Sequence, residues 1–159
     1  PIEITVSYFK DFVEAMQLIF GFRLKHEGEN VALLEVGQGG NGGQMIVRKD
    51  ETSQMEIQGN GTVHHVSFRV ADHRAIKEWE EKYNNLEMKH SGLVNRFYFE
   101  ALYTRIGHIL IEISTDGPGF IDEQESYEKL GTTLALPPFL EPDREYIESV
   151  VRPFDTRKK

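Results

Sequence analysis

Three side chains with the chemistry to hold a cation interrupt two short apolar stretches. His64 and His65 fall in Gly61–Val70 (GTVHHVSFRV), and Glu112 falls in His108–Ser114 (HILIEIS). The first stretch reads as a strand because Val63, Val66, Phe68 and Val70 are β-formers that follow a Gly-Asn-Gly turn signal. Alternation sets His64, Val66, Phe68 and Val70 on one face and Val63, His65, Ser67 and Arg69 on the other. An imidazole beside a hydroxyl and a guanidinium suits a site. The plainer alternative is a His pair with one ring buried and hydrogen-bonded and the other solvated. In the second stretch Ile109, Ile111 and Ile113 face one way, and His108, Leu110, Glu112 and Ser114 the other. A carboxylate between isoleucines is costly if buried without a partner. That partner is either Arg96 or Arg105, in a core ion pair, or His65, if the first and last strands of one sheet bring both to one concave face. Imidazole plus carboxylate with open positions suits a divalent metal, and two His with one carboxylate is the facial triad of non-haem Fe(II) oxygenases.

The rest of the composition narrows what such a site could serve. A chain of 159 residues can form one domain or two small modules sharing a core. Cysteine is absent, which excludes disulfides and thiolate ligands and leaves His and carboxylate as metal donors. A net charge of -8 argues against nucleic acid as the main partner. Arg157-Lys158-Lys159 reads as a solvated tail. No apolar run is long enough to cross a membrane and no signal peptide opens the sequence, so the expected location is cytoplasmic. The start at Pro1 suggests a processed protein or a piece of a longer one.

The elements that must position these residues occur twice. Ile2–Phe9 alternates as a strand, and Lys10–Phe20 has helical spacing at Phe12, Val13, Ala15, Met16, Ile19 and Phe20, with Asp11 as N-cap and Gly21 as stop. Phe22-Arg23-Leu24, Val31–Val36 and Gln44–Arg48 are extended. The glycine-rich turn 37–43 lacks the Lys-Ser/Thr of a phosphate loop and reads as a hairpin. After a polar connector, the strand Thr62–Val70 leads into a helix at Asp72–Tyr83, with Ala75, Ile76, Trp79 and Tyr83 on one face. Leu86–Lys89, Arg96–Arg105 and His108–Ser114 follow as extended segments. Ser7–Asp11 aligns locally with Phe68–Asp72, and Gly21–Lys25 with Asn85–Lys89. The expected fold is α+β, tandem βαβββ modules: 1–50 without metal ligands, a connector at 51–61, 62–115 with the ligand strands, and a C-terminal arm at 116–159. The arm holds acidic Glu123, Glu125 and Glu128, the stop Pro137-Pro138, and a short helix within Glu141–Val151.

Tandem βαβββ modules with HxxFRVxD at His65–Asp72 and a Glu on the last strand resemble the vicinal oxygen chelate, or glyoxalase/bleomycin-resistance, superfamily. GTVHHVSFRV, NRFYFEALYTR, ILIEISTDGPGF and the LPPFLEP tail further resemble the second half of glyoxalase-like ring-cleaving dioxygenases of the hydroquinone type. That resemblance implies extradiol cleavage of hydroquinone- or catechol-type aromatics. It also implies Fe(II), with Mn(II) or another divalent metal as substitute, and His65 and Glu112 as two of three ligands. The third ligand is expected from modules this chain does not contain. His64 would be the neighbouring active-site His, acting as acid or base, while Arg96 and Tyr103 would contact substrate or oxygen species. Strand parity, by contrast, points His64 away from His65 and gives Arg96 and Tyr103 opposite faces. The implied partners are a small aromatic substrate and dioxygen, with no nucleic acid or membrane and with homodimerisation open. Other functions on the same fold are a metal-dependent glyoxalase-type isomerase or thiol transferase, and a bleomycin-resistance-type binder without catalysis. His26, His73 and His90 read as surface residues and His108 as a solvated turn residue, where the family usually has Gly.

Overall fold

The computed structural model describes residues 1–52, 59, 62–121 and 126–152. Most of the polar connector, Glu123, Glu125 and the tail Arg157-Lys158-Lys159 lie outside the described residues. The chain divides into two compact units, residues 1–65 with 105–110, and residues 66–104 with 111–159.

In the first unit the order is β1 (Ile2–Val6), α1 (Phe9–Leu18), β2 (Arg23–Glu27), β3 (Val31–Glu35) and β4 (Gln44–Lys49). The sheet order is β1-β4-β3-β2, so the first and last strands are neighbours, and they run parallel with Ile4 opposite Val47. Alternation explains the sheet: Ile4 and Val6 are buried, and so are Met45 and Val47, while the residues between them face the other side. Helix α1 packs Phe9, Phe12, Val13 and Met16 inward. Phe12, Met16, Leu34, Met45 and Val47 are each fully buried, and each such side chain stabilises the fold by about 1.5–3 kcal/mol. The N-cap of α1 is Tyr8, which makes no side-chain capping bond; Asp11, expected to cap, lies in the first turn instead. The turn at 105–110 also belongs to this unit. There Tyr8 Oη donates to Ile106 O at 3.0 Å and accepts from His108 N at 2.8 Å. Gly107, at φ +58°, lies against the Tyr8 ring so closely that a Cβ there would overlap it. His108 is exposed, as expected of a turn residue.

The second unit repeats the order: β5 (Val66–Val70), α2 (His73–Asn85), β6 (His90–Asn95), β7 (Glu100–Ile106) and β8 (Ile109–Thr115), with α3 (Arg144–Val150) in the arm. Its sheet is β5-β8-β7-β6, again with first and last strands parallel. Asp72 caps α2, its Oδ1 accepting from Ala75 N at 2.9 Å. Ile76 and Tyr83 are the buried face of the helix, and Leu102, Ile111 and Ile113 are buried in the strands. Two expected segments differ. Residues 86–89 are not a strand; the strand is β6, whose register shifts between His90 and Leu93 around Gly92 at φ +70°. β7 begins at Glu100 instead of Arg96. His90 is half-buried, accepting at Nδ1 from Gly92 N and bonding Asn84 through Nε2, so it is structural and not a surface residue. No described helix is long and apolar enough to cross a membrane.

Candidate functional site

β8 carries Glu112 into the second unit. Its neighbours Ile111 and Ile113 are buried as the alternation requires, yet Glu112, on the opposite face, is itself only 4% exposed. A carboxylate at that depth needs donors. Tyr103 on β7 supplies one, its Oη donating to Glu112 Oε1 at 2.6 Å, the short distance typical of a bond to an ionised acceptor. The Arg96 guanidinium lies over the Tyr103 ring, 5.5 Å from its centroid, with Nη2 3.5 Å from Oη. The structure thus brings Arg96, Tyr103 and Glu112 into one chain of contacts. Burial and donation to Glu112 push the Tyr103 pKa up, against the opposing pull of Arg96. Tyr103 is therefore a neutral phenol at physiological pH, able to donate a proton-bearing hydrogen bond.

Strand parity would have separated Arg96 from Tyr103, and it does not apply because the two are not on one strand. Residues 96–99 form a turn: Arg96 N donates to Phe99 O, Asn95 Oδ1 accepts from Phe97 N, and Phe97 takes φ +70°. The turn resets the alternation before β7 starts. Arg105, the other guanidinium considered for Glu112, donates to His108 O at 2.9 Å across the hairpin turn.

His64 and His65 lie just before β5, which begins at Val66, so alternation does not hold them apart either. Their Nδ1 atoms are 2.8 Å apart, with the rings nearly perpendicular at 88°. One nitrogen must donate and the other accept. His64 is exposed and His65 half-buried. His65 closes the first unit, and Glu112 lies in the second.

Beyond Glu112, the same face of the β5–β8 ladder continues as polar pairs. Ser67 and Ser114 share a hydrogen bond at 2.8 Å, and Arg69 makes two bonds to Asp116, at 2.7 and 2.9 Å. Sequence reasoning named Ser67 and Arg69 and missed Ser114 and Asp116 as their partners. The signal was available in the parallel pairing of first and last strands, which sets Ser67 opposite Glu112 and Arg69 opposite Ser114. In the first unit Ile46 stands opposite Glu3 where the second unit has Glu112 opposite Ser67.

Imidazole and buried carboxylate are donors a divalent cation takes. Among the described residues, however, no group of three His, Asp or Glu is gathered to hold a metal ion. The donors present fit part of a facial triad and not the whole of one.

Each βαβββ unit, with its first and last strands parallel, has the glyoxalase-like fold seen in solved structures. A glyoxalase/bleomycin-resistance/dioxygenase domain from Frankia sp. EAN1pec has the same fold, with a TM-score of 0.60 at 14% identity over 72% of this chain and 93% of that one. Sequence similarity goes further, toward one half of a longer kind of protein. MhqA of Bacillus subtilis (strain 168), which carries a provisional name as a ring-cleaving dioxygenase, is 40% identical over 159 residues, 96% of this chain and 50% of MhqA. A chlorohydroquinone/hydroquinone 1,2-dioxygenase of Sphingobium indicum is 36% identical over 111 residues, 64% of this chain and 33% of that protein. The crystal structure of a Bacillus subtilis protein described provisionally as a dioxygenase superposes with a TM-score of 0.83 at 28% identity, covering 99% of this chain and 50% of that one. The chain spans about half the length of MhqA or less than half of such relatives. No family model matches it.

Proposed function

We propose that this chain is part of an Fe(II)-dependent extradiol dioxygenase that cleaves hydroquinone- or catechol-type rings, and that it contributes His65 and Glu112 as two of three metal ligands. The observation that carries the reading is Glu112: a carboxylate only 4% exposed, hydrogen-bonded by Tyr103 beside Arg96, on the last strand of the second unit. The relatives' names supply the reaction class. Spacing supports the pairing of the two ligands. Ser67–Ser114 and Arg69–Asp116 each join residues 47 positions apart, and His65 and Glu112 have that same spacing. The third ligand is supplied by modules this chain does not contain.

Each residue of the chain then has a defined task. Tyr103 donates its single O–H to Glu112 and so fixes the orientation of that carboxylate. Arg96 offers a permanent cation to the same region. His64, through its Nδ1 contact, orients the His65 ring, as outer partners of metal-bound imidazoles do. Fe(II), when bound, supplies Lewis acidity toward the substrate hydroxyl and the electronic route to dioxygen.

The test is oxygen uptake with hydroquinone and catechol, on this chain joined to the modules that bring the third ligand, supplied with Fe(II) and assayed for metal content; the chain alone should bind Fe(II) weakly and consume little or no oxygen. Loss of an outer partner costs about 10–100-fold. Glu112→Gln and His65→Ala should therefore each lose about 100-fold or more, together with bound iron. Unchanged uptake in Glu112→Gln would overturn the ligand assignment. A glyoxalase-type isomerase, or a binder without catalysis, would consume no oxygen at all.

A further inference from the structure

The C-terminal arm contains a helical run that is apolar on two sides. Pro138–Asp143 form a 3-10 helix that continues into α3. On one side Leu140, Arg144 and Ile147 are half-buried, and Arg144 clasps the run. Its guanidinium donates to the two oxygens of Glu141 at 2.8 and 2.6 Å, to Glu148 Oε1 at 2.8 Å and to Leu134 O at 3.1 Å. The other side carries Phe139, Tyr146 and Val150. Tyr146 and Val150 are neighbours one turn apart, and Phe139 precedes Tyr146 by about two turns. These three are 69%, 70% and 63% exposed. A row of large apolar side chains thus faces solvent on an element that its own ion pairs already hold in shape. A surface helix needs one apolar side and not two, and large apolar groups exposed together mark a place of contact.

We propose that this side of the arm is an interface with the half of a longer protein that this chain does not contain, and that the surface it meets is apolar with Lys and Arg at its edge. MhqA and the Bacillus subtilis crystal structure each match this chain over 50% of their own length, and the match takes in 96% and 99% of this chain. In both, a further half stands on the same polypeptide. Area argues against a second copy of this chain as the occupant. An aromatic side chain buries about 150–250 Å² when enclosed, so the row offers roughly 400 Å². That is half of the about 800 Å² per partner in a stable interface. A surface on the same polypeptide needs less, because tethering holds it at an effective concentration in the mM range. Charge argues the same way. Asp143 and Glu145 are exposed beside the row, and a second copy would set them against their own kind on a chain of net charge -8. The inference shares with the ring-cleaving reading the premise of further modules, and it needs neither iron nor substrate.

The experiment compares this chain alone with this chain joined to the half of MhqA that it does not match, by hydrogen exchange without added metal. In the joined protein the amides of Phe139–Val150 should exchange more slowly by about tenfold or more. Phe139→Ser/Tyr146→Ser should return them to the rate of the chain alone, while peptides of β7 and β8 report that the fold is kept. The chain alone should sediment as a monomer, and there the same double variant should leave the thermal midpoint near native, because both side chains face solvent. The interface is overturned if the arm exchanges equally in the two proteins, or if the variant keeps the slowing. A dimer of the chain alone that the variant abolishes would give the row to a second copy and overturn it as well. Oxygen uptake enters none of these readings, so the ring-cleaving proposal stands or falls separately.

Discussion

At the scale of single residues, the site turns on how Glu112 is satisfied. A phenol donor orients a carboxylate without cancelling its charge, so Glu112 stays attractive to a cation while its burial is compensated by the 2.6 Å bond from Tyr103. Tyr103→Phe keeps the ring under Arg96 and removes the hydroxyl, with its bond to Glu112 and its 3.5 Å contact from Arg96 Nη2. It should lower the unfolding free energy by about 1–3 kcal/mol, the cost of removing one donor from a buried acceptor, and, on the proposed function, slow ring cleavage by the enzyme holding all three ligands by about 10–100-fold. Urea titration and oxygen uptake on one preparation check the two effects. An unchanged rate with lowered stability would make Tyr103 a structural residue only. The candidates themselves were legible in the sequence, because a Glu between isoleucines and a His pair before a strand are conspicuous by polarity. Their contacts were not. His64 and His65 precede the strand, and Arg96 lies in a turn whose Phe97 takes φ +70°. Alternation therefore failed at the places where it was asked to orient side chains.

At the scale of elements, the two helices begin in different ways, and the difference is measurable. Asp72 caps α2 with a side-chain bond to Ala75 N, whereas α1 begins at Tyr8 with no side-chain cap. Asp72→Ala should cost about 1 kcal/mol, and Asp11→Ala only a few tenths through the helix dipole. A lowered thermal midpoint for the first, beside a near-native one for the second, is the expected pair of melts. Equal losses would mean that Asp11 caps after all. The same detail explains a slip in reading the repeat. Aligning Ser7–Asp11 with Phe68–Asp72 pairs two aspartates, but the N-caps pair Tyr8 with Asp72, three positions away. The order strand, helix, three strands survived because hydrophobic periodicity is robust over a whole element. β6 escaped notice because His90-Ser91-Gly92 has no β-branched residue and contains a register shift. Local signals there carry little strand preference.

Across the whole molecule, ionisable groups set the pH limits of stability. At the acid end, Glu35 is held below its usual range by Gln44 and then Lys25, and Asp116 by its bonds from Arg69. Glu141 is lowered by Arg144, and Asp50 by the Thr52 backbone and hydroxyl. A carboxylate with a lowered folded pKa contributes stability above its unfolded value, near pH 4, and loses it as pH falls through the folded value. At the alkaline end, burial pushes Tyr83 upward, and burial with donation to Glu112 does the same for Tyr103. A raised pKa works in the opposite sense. Its contribution is complete below the unfolded value, near pH 10, and is lost as pH rises through the folded one. Unfolding free energy measured by urea titration should therefore be flat from about pH 5 to about pH 9 and fall on both sides. Tyr83, fully buried on α2, should dominate the alkaline limb. In Tyr83→Phe that limb should be shallower than in wild type, while the acid limb, which depends on carboxylates elsewhere, keeps its slope. An alkaline limb as steep in Tyr83→Phe as in wild type would assign it to Tyr103 or to the exposed tyrosines instead.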